Sequence, residues 1–248
     1  MLCFALFTTP TFAESEYSPS SSEYQINSLT DLKAELDYIC KDSTITPESP
    51  EIENLLKITN PTIVQEFLEE KFDTLGDILA NPNSFSSSRT IDLGDNCYVR
   101  MSSTPTAPEE ENPYITPFQS TPGANTYWKD YGDRKFTSTF EGNLVLGAFK
   151  LNMCNHYTCD SKGVLVRYVE AWGNGGGLIQ ISCGSVNGAS KGDRAKVGQT
   201  VSANCIFTAS GSGLIQKSFK MYNKVKCSEI DTVEKKVKVV QSWNGEYL

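Results

Sequence analysis

The chain has 248 residues, 39% of them hydrophobic and 21% charged, with a net charge of −8 and a pI of about 4.8. That is enough apolar material to pack one large or two small units. The acidity argues against nucleic acid as the partner, and no run after the N-terminus approaches the ~18 apolar residues of a membrane span.

The charge is unevenly spread. Residues 1–125 carry 20 acidic and 6 basic side chains, whereas residues 126–248 carry 10 acidic and 16 basic. Two units with different surfaces follow from this asymmetry. Mutual attraction of the halves, or simply solvated faces, is the plainer explanation. A basic half that meets an anionic partner, such as a bacterial wall polymer, is the sharper one.

Residues 1–13, "MLCFALFTTPTFA", have the apolar run and small-residue end of a secretory signal peptide, with Thr11 and Ala13 placed before a cut. The usual basic leader is missing, so the natural start is expected upstream of Met1. Cys3 opens the run rather than closing it, which speaks against a lipid anchor. Residues 14–27, rich in Ser and Glu, are expected to be disordered.

Residues 28–82 predict an acidic helical segment. Ser28, Ser49 and Asn60 are placed as N-caps, with Pro50 and Pro61 in first helical turns. Leu29, Leu32, Leu36 and Ile39 recur on one face, Ile52, Leu55 and Leu56 on a second. Val64, Phe67, Leu68, Phe72, Leu75 and Leu79 make the third, the longest stripe.

Residues 83–102 predict a β-hairpin, because Ile91, Leu93, Tyr98 and Val99 flank "GDN", where Gly94 and Asn96 tolerate positive φ. Residues 103–125 hold five prolines and three successive glutamates and read as an extended linker.

From residue 126 to 248 the apolar period becomes two. Val145, Phe149, Leu151 and Met153 alternate with their neighbours. So do Ile179, Ile181 and Cys183, then Val201, Ala203, Cys205, Phe207 and Ala209, then Val233, Val237, Val239 and Trp243. One polar face per strand is the mark of antiparallel sheets over a shared core. The expected fold is therefore mainly β: a C-terminal antiparallel β-sandwich, Ig-like in general architecture, after a short α-helical N-terminal segment. The lysines of the last strand are expected to guard a sheet edge.

"SRTIDLGDNCYV", "YWKDYGDRKFTSTF", "NHYT" and a terminal "KVKVVQSW" occur in this order. Together with the apolar leader and the helical segment they resemble a group of secreted proteins of gut Firmicutes. The resemblance implies export and architecture. It brings no activity, catalytic residue or ligand, and the cysteines flanking "NHYT" depart from the group.

"MCNHYTCD" contains the sole histidine, His156, between Cys154 and Cys159. In a strand Cys154 and His156 project to one side and could share a metal ion, with Cys159 returning from a turn. C-x-H-x2-C is not a standard zinc spacing, and a fourth ligand such as Cys183 or Cys205 would be needed. A Cys–His nucleophile usually draws its base from elsewhere in the fold, and no G-x-S-x-G elbow is present. The favoured expectation is a strand end and turn, with Cys154 and Cys159 cross-linked or buried; no catalytic residue and no cofactor is assigned. An odd number of cysteines, seven, remains after leader removal: 40, 97, 154, 159, 183, 205 and 227.

Trp128, Tyr131, Tyr168 and Trp172 are the candidates for an aromatic binding platform on one sheet face. "WGNGGGL" lacks the Lys and Ser/Thr of a phosphate loop. The sequence thus favours a secreted, non-catalytic module that binds a wall polymer, glycan or protein. A disulfide-linked or self-assembling structural protein is the alternative, and a hydrolase with a carboxylate pair the second.

Overall fold

The computed structural model describes residues 25–41, 49–80, 88–94, 96–106 and 124–248. The expected signal peptide, residues 14–24 and residues 107–123 of the proline tract lie outside them. Among the described residues three helices come first: α1 (Leu29–Ile39), α2 (Pro50–Lys57) and α3 (Pro61–Ala80). The Ser28 hydroxyl accepts from the Asp31 N–H at 3.1 Å and so caps α1. The Asn60 side chain accepts from the Thr62 N–H at the start of α3. All six apolar residues of the α3 stripe are buried. Residues 25–27 are ordered rather than disordered: Ile26 is buried and forms a parallel bridge with Thr59. Its N–H donates to Ile58 at 2.8 Å and its carbonyl accepts from Asn60 at 2.9 Å.

Among the described residues twelve strands then build two antiparallel sheets. The first has β1 (Ser88–Gly94), β2 (Cys97–Thr106), β4 (Gly132–Leu144), β5 (Gly147–Asp160), β6 (Gly163–Gly175) and β9 (Arg194–Ala195), in the order β1-β2-β4-β5-β6-β9. The second has β3 (Ala124–Asp130), β12 (Lys236–Tyr247), β11 (Ile215–Asp231), β10 (Thr200–Gly211) and β7 (Ile179–Cys183), in that order. The short β8 (Asn187–Gly188) also pairs with β10. The β1–β2 turn sets Gly94 at φ 74° and Asn96 at φ 60°. β2 hydrogen-bonds to β4 as far as Thr106 opposite Lys135, so residues 103–106, expected to open the linker, are strand. Pro105 lies past the end of β1, where a missing N–H is tolerated.

The inner faces of the two sheets form one continuous core. On β10, Val201, Ala203, Cys205, Phe207 and Ala209 all point inward and are buried. Val233 departs from its expected place: it sits in the β11–β12 turn and is 90% exposed, while Val237, Val239 and Trp243 are buried. The lysines of β12 do not guard an edge, because β12 is flanked by β3 and β11. Buried polar residues tie the sheets together: Gln241 of β12 donates to the Tyr157 hydroxyl of β5 at 2.6 Å, and Asn223 reaches further. The buried Asn223 amide of β11 is 3.2 Å from each of three acceptors on the facing sheet: the Phe136 carbonyl, the Ser138 hydroxyl and the Met153 carbonyl.

Helix α3 closes the end of this stack. Phe72 meets Phe219 edge-on, with ring centroids 6.3 Å apart, and the Asp73 carboxylate accepts from Lys217 and from the Tyr247 hydroxyl. Glycine makes this approach possible. A Cβ on Gly76 would lie 2.6 Å from Cγ of Tyr247, and one on Gly211 would lie 2.2 Å from Leu68. Among the described residues no helix is long and apolar enough to cross a membrane.

Candidate functional site on the outer face of the first sheet

The residues of "MCNHYTCD" lie inside β5, with no turn among them. Alternation sends Met153, Asn155, Tyr157 and Cys159 into the core and Cys154 and His156 to the opposite, outer face. Two expectations fail for this one reason. Cys154 and Cys159 stand five residues apart along an extended strand, about 17 Å by strand rise, far beyond the ~4.4–6.8 Å Cα separation of a disulfide; both thiols are free. Cys159 cannot join His156 at a metal ion either, since the sheet lies between them. Cys183 and Cys205, the proposed fourth ligands, belong to the other sheet, where their sulfurs lie 3.2 Å apart.

What faces Cys154 and His156 instead comes from β6. The hairpin pairs Asp160 with Gly163 and Tyr157 with Val166, and then Arg167 is left over as a bulge. Beyond it the register is shifted, so His156 faces Tyr168, Cys154 faces Glu170 and Asn152 faces Trp172. Without the extra residue Cys154 would face Val169. A single-residue slip exchanges the two faces of a strand, and this one turns Glu170 toward the thiol and the imidazole.

The geometry of the cluster is tight. Cys154 Sγ lies 3.3 Å from His156 Nε2, and Glu170 Oε1 lies 2.8 Å from the same nitrogen. All three atoms fall within 4.8 Å of one another. The Tyr168 ring stacks on the imidazole with centroids 3.8 Å apart and planes 18° apart. The Thr137 hydroxyl donates to Cys154 Sγ at 3.2 Å from β4. Cys154 and His156 are buried, whereas Glu170 is open to solvent. Burial pushes the Cys154 thiol above its ordinary pKa; the Thr137 hydrogen bond opposes this, Glu170 adds to the rise, and Lys135 opposes it.

A nucleophilic relay does not fit these contacts. The thiol and the acid of a Cys–His–acid triad engage different ring nitrogens, one holding the tautomer while the other takes the proton. Here both meet Nε2, which cannot serve as both ends of a relay. Three donors converging on one point suit a chelated ion better.

The aromatic candidates divide between faces. Tyr168 and Trp172 project from β6 on either side of Glu170 and are 50% and 41% exposed. Trp128 lies on β3 in the second sheet, and the half-buried Tyr131 follows it in the β3–β4 turn. They form no single platform. Sequence reasoning found Cys154 and His156 and missed Glu170 and Thr137. Strand alternation would have rejected Cys159; nothing short of the register would have supplied Glu170.

The outer face of the second sheet has a different character. Lys220, Tyr222, Lys224 and Lys226 project outward from β11, opposite Glu246, Asn244, Ser242 and Val240 of β12. Lys236 and Lys238 follow on β12, and the Lys238 ammonium lies 5.6 Å from the centre of the Trp128 ring. Lys220, Lys236 and Lys238 have carboxylate partners in Glu246, Glu234 and Glu229, at 3.2, 2.8 and 3.6 Å. Among the described residues no carboxylate lies within ion-pair distance of Lys224 or Lys226.

No family model, no curated protein and no solved structure matches the chain.

Proposed function

We propose that the chain is an exported, non-catalytic binding module of a bacterial exterior, a β-sandwich that is Ig-like in general architecture, whose ligand is an anionic polymer such as a wall polymer. The observation that carries this reading is the lysine-rich outer face of the second sheet. Strand alternation repeats lysine outward on β11 and β12, two of these charges have no carboxylate within ion-pair distance among the described residues, and Tyr222 and Trp128 lie among them. A ladder of cations with a spacing of about 7 Å along a strand matches a polymer with a charge on each repeat. Aromatic rings give sugar or polyol units an apolar surface. The resemblance to secreted proteins of gut Firmicutes supplies the setting.

The test is retention of the full chain on immobilised poly(glycerol phosphate), with a neutral polysaccharide as control. Binding to the anionic polymer alone is expected, weakening as salt shortens the screening length. Lys224→Glu with Lys226→Glu is expected to lower affinity about tenfold or more. Equal retention of wild type and double variant, or equal retention on the neutral matrix, removes this reading in favour of a neutral glycan or protein ligand.

A further inference from the structure

We propose that Cys154, His156 and Glu170 form a zinc site on the outer face of the first sheet, separate from the lysine face. Its three donors are a sulfur, an imidazole nitrogen and a carboxylate oxygen, the ligand types zinc takes. They come from two positions of one strand and the register partner of the first, so the backbone ladder itself fixes their spacing. With zinc bonds of about 2.3 Å to sulfur and about 2.0–2.1 Å to nitrogen and oxygen, a tetrahedral ion needs Sγ and Nε2 about 3.6 Å apart and Nε2 and Oε1 about 3.3 Å apart. The observed separations are 3.3 and 2.8 Å. The first two pairs must spread by a few tenths of an ångström and the third, Sγ to Oε1, which lies within 4.8 Å, must settle at about 3.6 Å; that is the adjustment the ion requires. Glu170, the exposed member, supplies most of it by side-chain rotation.

The surroundings are those of a supported ligand set. The Thr137 hydroxyl points its hydrogen bond at the sulfur, and Lys135 stands directly opposite His156 on β4. Tyr168 stacks on the imidazole and fixes its plane. Three protein ligands leave one tetrahedral position for water or for a donor group brought by a binding partner. The exposed Tyr168 and Trp172 rings lie along β6 on either side of Glu170.

The test uses the full chain, reduced and free of any polyhistidine tag. Zinc titration by calorimetry is expected to show one tight site per chain. Cobalt(II) at that site is expected to give a sulfur-to-metal charge-transfer band and the intense visible absorption of tetrahedral coordination. Cys154→Ser abolishes the charge-transfer band. Glu170→Gln, a change at an exposed position that leaves the fold intact, weakens zinc by at least about 100-fold, since even residues behind the ligands typically give about 10–100-fold. Cys183→Ser, which breaks the close Cys183–Cys205 thiol pair of the second sheet, leaves zinc binding unchanged. Absence of uptake by the wild-type chain, uptake unaltered in Glu170→Gln, or uptake lost in Cys183→Ser overturns the assignment.

Discussion

Cys159 and Cys205 show how burial sets the chemistry of a side chain. Desolvation pushes both thiols up to about 12, aided at Cys205 by the neighbouring Cys183 sulfur and at Cys159 by the nearby Cys227 thiol, although Arg134 opposes the rise at Cys159. A thiol reacts as its thiolate. At pH 8 a group with a pKa of about 12 is ionised in roughly one molecule in ten thousand. Iodoacetamide under native conditions is therefore expected to label exposed Cys40 and Cys183 before Cys159 and Cys205, read by peptide mass spectrometry. Cys159 and Cys205 gain reactivity only as the pH climbs toward 12. Labelling of Cys205 at the rate of Cys183 at pH 8 would show that the interior is open. The sole imidazole and the nearby thiol were visible in the sequence, as was their shared side of a strand. Glu170 was not, because its place beside them is set by which residue of β6 faces Cys154, and no local pattern encodes that.

At the scale of elements, α3 and β12 depend on glycine where they touch. Gly76 lies in the interior of α3, where alanine ordinarily stabilises a helix by about 1 kcal/mol. Its added Cβ would press on the Tyr247 ring at 2.6–3.0 Å. Gly76→Ala is expected to destabilise the protein by about 1–3 kcal/mol, against its helix propensity. Urea unfolding checks the sign, and a gain in stability would mean that α3 does not rest on β12. The helices were legible because an apolar stripe and a cap are local features: Ser28, Asn60 and the six residues of α3 all stand where the pattern puts them. The strand interiors of β10 and β12 were legible by period two. The limits of that signal are equally physical. Val233 continues the alternation on paper, but its residues turn the chain. The run from Cys154 to Cys159 has turn-like polar residues but stays extended, since both neighbouring strands pair along its length. The Arg167 bulge left no sequence mark at all.

For the whole molecule the question is which pieces share a core. α3 and β2 contribute Leu68, Phe72, Leu75, Leu79, Val99 and Met101 to the same continuous cluster as the later strands. The acidic and basic halves of the sequence therefore meet, and Asp73 with Lys217 is one ion pair between them, at 3.0 Å. A chain of residues 124–248 alone would leave the backbone edge of β4 unpaired and the apolar residues under α3 and β2 bare. It is expected to melt well below the full chain and to bind a hydrophobic dye. An unchanged melting temperature would show that the strands after residue 124 form a self-sufficient unit. The contact of α3 with Tyr247 also orders events in time. These partners are 174 residues apart, so the helix leaves the ribosome long before the strand it rests on has been made. Gly211 and Phe219 of β10 and β11 are available to α3 earlier, but its contact with Tyr247 waits for β12, and contacts of such long sequence separation close slowly. Until β12 joins, the face of α3 that meets it stays uncovered, so this contact is among the late steps in completing the core of the described residues.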